Sequence, residues 1–88
     1  MKVHNIAGVA NQFIIETKED IVFQSYDTVI AVINKLDKSI SLDVDYYNYS
    51  KKTLKYLYIF LDTTNKQFKK DLLIGKYKLV KSLGDLTW

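Results

Sequence analysis

The sequence has no cysteine and no proline, only three glycines, and no arginine among its 13 basic residues. A chain without cysteine forms no disulfide bond, has no thiolate nucleophile and offers no cysteine ligand to zinc. The three glycines stand apart, so no glycine-rich loop is present to hold a phosphate. Small secreted domains often carry disulfides. Their absence, and the lack of an apolar signal-peptide core in residues 1–10, lead us to expect a cytoplasmic protein.

Long apolar segments are also absent, although the chain has enough apolar residues for one core. No run approaches the roughly 18 consecutive apolar residues of a membrane span, so we predict none. Apolar residues make up 48% of the 88, and 14% of the chain is aromatic. Because a domain usually has about 50–250 residues, we predict a single domain over residues 1–88.

Charge is distributed unevenly along the chain. Residues 1–50 carry four lysines and seven acidic residues, for a net charge of −3, whereas residues 51–88 carry nine lysines and three acidic residues, for a net charge of +6. A basic half suits an anionic partner. The alternative is that these lysines are simply a solvated surface.

The first half of the chain predicts about four antiparallel strands. Residues 12–17 and 21–26 are two short apolar-rich segments around a polar turn, which indicates a hairpin. Residues 28–34 contain a β-branched apolar run, typical of a strand that is covered on both faces. Residues 39–46 alternate strictly between apolar and polar, which predicts a half-buried strand with one solvated face.

The hydrophobic period then changes to that of a helix. Residues 51–61 place apolar side chains on one helical face, and Ser50 is a suitable N-cap. Residues 62–65 indicate a break with a fresh cap, after which a second helix would run to about residue 74 and end at Gly75. A possible final strand follows at 77–80, and 84–88 would be a tail. The predicted fold class is therefore α+β, with two short helices after the sheet.

Two segments resemble a known family. Residues 23–31 read Phe-Gln-Ser-Tyr-Asp-Thr-Val-Ile-Ala, which resembles the F-x-S-Y-x-T-x-I-A core of small uncharacterised domains encoded by phages and mobile elements of low-GC Gram-positive bacteria. The segment from Tyr49 to Tyr56 resembles the family's Y-S-x-T-T-x-K-H, with Lys52 at its first threonine and Tyr56 at its histidine. The resemblance implies a phage-type accessory protein in a bacterial host cytoplasm. Such small proteins include inhibitors of host defence, among them anti-CRISPRs.

Lysines cluster with tyrosines at the predicted helices. Lysine side chains contact phosphates and tyrosine rings stack on unpaired bases, so the clusters predict a site for nucleic acid or another anionic partner. Without arginine, the commonest bidentate contact to guanine is missing, and such binding would depend little on sequence. An ordinary amphipathic surface helix is the alternative reading. The candidate residues are Lys51, Lys52, Lys55, Tyr56, Lys66, Lys69 and Lys70.

Acidic residues form a second candidate surface. Asp43 and Asp45 would project from the same face of the strand over 39–46, with Asp37 in the turn before it. An acidic face can attract a partner protein whose own surface is basic. It can equally be a solvated strand face. A metal site would need more ligands, and the lone His4 has no partner in sequence, so we predict no catalytic residue, no metal and no cofactor.

These observations favour a non-enzymatic, phage-type binding protein that acts on a host or phage protein. The most specific form of this prediction is an anti-CRISPR-like inhibitor of host defence. The first alternative is a small accessory protein that binds nucleic acid without sequence preference. The second is a structural homo-oligomer, joined through a free sheet edge or through Trp88. We predict no membrane partner.

Overall fold

The computed structural model describes residues 1–87, and its centre is a sheet of six strands that lie side by side in chain order. The first five strands pair antiparallel with one another in sequence order, and the sixth pairs with the fifth in parallel. The strands are β1 (Lys2–Asn5), β2 (Gln12–Glu16), β3 (Asp20–Ser25), β4 (Thr28–Asn34), β5 (Ile40–Asp43) and β6 (Tyr77–Val80).

Strand β4 lies at the centre of the fold and is covered on both faces, as its apolar run predicts. The β3–β4 register shifts by one residue between Phe23 and Gln24, which leaves Ile30 as the extra residue of a β-bulge. Because of this bulge, Ile30 and Ala31 both belong to one core cluster, whereas Val29 packs in the cluster on the other face. The bulge therefore allows a continuous apolar run to serve two cores.

Three α-helices cover the sheet: α1 (Lys51–Leu61), α2 (Asn65–Leu73) and α3 (Leu83–Thr87). Helices α1 and α2 supply Leu57 and Phe68 to the larger core, where they pack with Phe23 and Leu42 of the sheet. Helix α3 supplies Leu83 to the smaller core on the opposite face. Truncating a residue as buried as Leu57 to alanine typically costs about 2–5 kcal/mol, so these contacts hold the helices to the sheet.

The predicted helix boundaries are confirmed. The Ser50 hydroxyl accepts from the N–H of Thr53, and the Thr64 hydroxyl accepts from the N–H of Gln67, so each helix begins at a side-chain cap. Helix α1 ends at Asp62, whose φ of 54° is left-handed. This reversal separates the two helices.

The fold prediction is α+β in class, as the structure is, but wrong in four details. Strand β1 is missing from it because every residue of Lys2–Asn5 is exposed, so no alternation marks it. Residues 83–87 form a helix where a tail was predicted. The sheet is mixed rather than antiparallel, because the α1–α2 pair is the crossover that returns β6 parallel to β5. The predicted role of Trp88 lies outside the described residues.

The fourth error concerns residues 39–46, where the strand ends at Asp43. The Asp43 carboxylate accepts hydrogen bonds from the N–H groups of Asp45, at 2.9 Å, and Tyr46, at 3.1 Å, which folds the chain into a turn. Its other oxygen accepts from the N–H of Leu83 at 3.1 Å and so attaches the start of α3 to the sheet. The alternation continued past Asp43, but the side-chain hydrogen bonds of one residue stopped the strand.

Candidate functional site

A cavity of about 390 Å³ opens between the start of β2, the β3–β4 turn and the start of α1. Its volume lies in the range of sites for small molecules, about 300–1,000 Å³. Three segments that are far apart in sequence build it, because the antiparallel pairing of β2 with β3 places Gln12 opposite Ser25. The lining residues are Gln12, Ser25, Tyr26, Thr28, Ile30, Tyr46, Tyr49, Ser50, Lys52 and Thr53.

The most unusual lining residue is Gln12, whose side chain is buried without a complete set of hydrogen bonds. Gln12 is 1% exposed, and its Oε1 atom has no hydrogen-bond partner within residues 1–87. More than about 90% of buried polar groups in proteins are hydrogen-bonded, and leaving one unpaired costs about 1–3 kcal/mol. Gln12 is therefore the lining residue with an unmet hydrogen-bond acceptor, which a ligand would satisfy once the amide turns toward the cavity.

Three tyrosines are exposed around the cavity: Tyr26, Tyr46 and Tyr49. The rings of Tyr46 and Tyr49 lie 6.0 Å apart at 48°, while Tyr49 remains 74% exposed. Tyr26 occupies the β3–β4 turn with a left-handed φ of 56°, and its N–H donates to the carbonyl of Asn11 at 2.7 Å. The turn therefore holds an aromatic side chain at the surface in a backbone conformation that is uncommon for it.

The positive charge at the cavity comes from the first turns of α1. Lys52 lines the cavity, and Lys51 and Lys55 are exposed beside it. None of the three forms an ion pair within the described part of the chain, and the first turn of α1 contains no acidic residue. Because the helix macrodipole already places about half a positive charge at an N-terminus, this end of α1 attracts anions.

The structure separates the predicted lysine clusters. Lys66, Lys69 and Lys70 are exposed on α2, and none of them lines the cavity. The six lysines would share one helical face only if the two helices were continuous, and α1 ends at Asp62. Of the six lysines, Lys52 lines the cavity together with the exposed tyrosines, and Lys51 and Lys55 lie near it on the first turns of α1.

Tyr56 does not face that surface. It is 7% exposed and belongs to the larger core. Lys55 Nζ lies 5.6 Å from the centroid of its ring. A base has no open ring face to stack on at this position, so the stacking role predicted for Tyr56 does not fit its burial.

The predicted acidic face is not continuous. Asp43 is 3% exposed because its carboxylate is used inside the fold, as described above. Asp37 and Asp45 are both exposed. The hydrogen bond from the backbone of Ser39 lowers the pKa of Asp37, which keeps it charged. Partner binding by Asp37 and Asp45 stays a prediction, whereas Asp43 has a structural role.

A second buried carboxylate, Asp71, also serves the fold. It accepts from Gln67 Nε2 at 2.9 Å, from the Tyr77 hydroxyl at 3.4 Å and from Lys76 Nζ at 3.5 Å. The hydrogen bond from Gln67 is the largest cause of its lowered pKa. Among residues 1–87, no group of three or more histidine or acidic side chains is placed to hold a metal ion.

Sequence reasoning missed Gln12, Tyr26 and Tyr46 as site residues. The one signal that could have found part of the cavity is the pair of segments that carry the family resemblance, because they face each other across it. Eight lining residues belong to these two segments: Ser25, Tyr26, Thr28, Ile30, Tyr49, Ser50, Lys52 and Thr53.

The fold and site together define an α+β domain with a mixed six-stranded sheet and a tyrosine-rimmed cavity at a lysine-rich helix start. The chain belongs to a family of unknown function, DUF8033, whose family model matches residues 1–76. That match includes every residue of the cavity and ends before β6. No curated protein and no solved structure matches the chain. Within the described residues, no helix has the length and apolar character needed to cross a membrane.

Proposed function

We propose that this domain is a non-enzymatic binding protein, and that its partner is single-stranded nucleic acid bound at the start of α1. The observation that carries the proposal is the exposure of Tyr26, Tyr46 and Tyr49 around a cavity that Lys52 also lines. Proteins that bind single strands without sequence preference combine a basic surface with aromatic rings on which bases stack. This surface has both parts.

Electrostatics also supports an anionic partner at the start of α1. Lysines at a helix N-terminus oppose the macrodipole, at a typical cost of about 0.3–1 kcal/mol each. Within residues 1–87, Lys51, Lys52 and Lys55 form no ion pair, and the first turn of α1 has no acidic residue. A bound phosphate would remove this repulsion and could also accept hydrogen bonds from the first N–H groups of the helix.

The test is a fluorescence-anisotropy titration of labelled single strands and duplexes at about 50 and 200 mM salt. The triple variant Lys51→Glu, Lys52→Glu, Lys55→Glu removes the charge beside the cavity. Its matched control is Lys66→Glu, Lys69→Glu, Lys70→Glu, which makes the same change in net charge on α2. We expect the first variant to lose single-strand binding and the control to keep most of it. Equal losses in both variants, or no binding at low salt, would contradict the proposal.

A protein partner is the second candidate, and the sheet edges favour it. Strand β1 is exposed along its whole length and has a partner on one side only, and β6 is the opposite edge of the described sheet. Exposed strand edges accept an added strand from another chain. Leu73 and Ile74 are exposed at the end of α2, Leu73 by 88%. In this reading the domain is a phage-type inhibitor that acts on a host or phage protein in the bacterial cytoplasm, with host defence as the target.

Two measurements separate this candidate from the first. Tagged protein is incubated with bacterial lysate at low salt, in parallel with a Leu73→Lys, Ile74→Lys variant, and the retained proteins are identified. A host protein held by the wild type and released by the variant would support the protein partner. Light scattering at high concentration tests the homo-oligomer, which a clean monomer would eliminate.

A further inference from the structure

Building on the proposed function, we infer that the cavity accepts one unpaired nucleobase, whose polar edge hydrogen-bonds to the carboxamide of Gln12 while its phosphate lies at the start of α1. The class of ligand is therefore a nucleotide within a single strand or a free nucleotide. Each part of the cavity supplies one element of this recognition.

Gln12 determines what kind of group enters. Its carbonyl oxygen lacks a donor within the described chain and is itself covered, so the amide turns toward the cavity when a base enters. A phosphate at neutral pH has essentially no donor to offer, and an apolar side chain has none. A nucleobase edge presents donors and acceptors side by side, and a glutamine carboxamide pairs with such an edge through its own adjacent oxygen and NH₂ group. Rotating the amide exchanges its two atoms, and the position then needs an acceptor, which a nucleobase edge also presents.

The walls and mouth suit the rest of a nucleotide. Ile30 gives the cavity a buried apolar wall, and Tyr26 and Tyr49 stand at its rim, where rings can stack on a base. At the mouth, the Ser50 hydroxyl accepts a hydrogen bond from the N–H of Thr53, and the Ser50 carbonyl accepts one from the N–H of Leu54. The N–H groups of Lys51 and Lys52 have no acceptor within residues 1–87, as is usual for the first turn of a helix. A phosphate at this point would meet those two groups and the Lys52 ammonium.

The base should therefore add a measurable share of the affinity to that of the phosphate. Tyr49 is largely exposed, so its replacement leaves the core intact, and we expect Tyr49→Ala to weaken nucleotide binding between about five- and a hundredfold. Gln12→Met keeps the shape of the side chain and removes its polar atoms. We expect it to weaken nucleotide binding about three- to tenfold.

The experiment is an NMR titration of the isotope-labelled protein with AMP, CMP, GMP and UMP, and with ribose 5-phosphate as the probe that lacks a base. We expect the nucleotides to shift the Gln12 side-chain amide and to bind more tightly than ribose 5-phosphate. Gln12→Met should weaken the nucleotides and leave ribose 5-phosphate unchanged. Equal binding of all five probes, no binding of the nucleotides, or unaltered nucleotide binding by a folded Gln12→Met protein would each overturn the inference.

The oligonucleotide titration distinguishes the two levels of the proposal. If single strands bind in a manner that depends on Lys51, Lys52 and Lys55 while the nucleotides leave Gln12 unshifted, the base pocket is wrong and the proposed function stands. If the nucleotides bind at Gln12 but single strands do not bind, the pocket stands and the proposed function fails.

Discussion

Two buried polar side chains of the same sheet, Asp43 and Gln12, have opposite surroundings. Asp43 is 3% exposed and accepts three backbone N–H groups, whereas Gln12 is 1% exposed and its Oε1 has no partner within residues 1–87. A buried polar group with all its hydrogen bonds stabilises the fold, and one without them costs stability. The difference separates a residue that holds the structure from one whose environment suits a ligand.

The largest expected effect on stability comes from removing the Asp43 carboxylate, which has all of its hydrogen bonds. Asp43→Ala leaves three N–H groups without their acceptor, including the buried N–H of Leu83. We expect the free energy of unfolding to fall by about 3 kcal/mol, because hydrogen bonds to a charged acceptor are among the stronger ones. Urea denaturation measures it. Asp45→Ala, on the exposed side of the same turn, is the control and should change stability by less than about 0.5 kcal/mol.

A smaller effect is expected where the polar partners are side chains. Burial raises the pKa of Tyr77 to about 12 from an ordinary value of 10, and the Asp71 charge adds to the rise. Because the folded pKa is the higher one, this contribution to stability is complete below pH 10 and is lost as the pH rises to about 12. Thermal unfolding of the wild type and Tyr77→Phe across this window measures the difference. A stability difference that stays constant from pH 9 to 12 would contradict this role for Tyr77.

The smallest effect is expected at Gln12, where it separates a residue that stabilises the fold from one that does not. Gln12→Met removes an unpaired buried amide and keeps the volume, so the free energy of unfolding should stay unchanged or rise by about 1 kcal/mol. Gln24→Met is the matched control, because Gln24 Nε2 donates to the Tyr26 carbonyl at 2.9 Å and the variant loses that bond. A loss of more than about 2 kcal/mol for Gln12→Met would mean that Gln12 serves the fold as Asp43 does.

Sequence patterns predicted the elements whose signals are local. Three such predictions are the cap at Ser50 with a fresh cap within residues 62–65, the hairpin over residues 12–26 and the doubly covered strand β4. They follow from hydroxyl positions and apolar periodicity. Strand β1 is exposed throughout and so has no such signal. Strand β5 ends at Asp43 because the Asp43 side chain forms hydrogen bonds that fold the chain into a turn, although the apolar alternation continues beyond it.

The candidate site was predicted only in part, for a physical reason. Lysine clusters are visible in a sequence, so Lys51, Lys52 and Lys55 could be named. The cavity, however, depends on Gln12 lying beside the β3–β4 turn and the start of α1, a proximity set by strand pairing and helix packing. Burial also cannot be seen from sequence proximity: Tyr56 lies beside the same lysines in sequence, but its side chain packs in the core.

The most direct test of the central claim is the salt dependence of single-strand binding. For single strands, the slope of log K against log salt falls by about 0.7 for each phosphate neutralised. We predict that the charge-neutralising variant Lys51→Gln, Lys52→Gln, Lys55→Gln still binds but has a slope less steep by about 2, because three contacts are lost. The matched variant Lys66→Gln, Lys69→Gln, Lys70→Gln should leave the slope nearly unchanged. The same reduction in both variants would show that charge acts diffusely over the surface and would contradict a binding site at the start of α1.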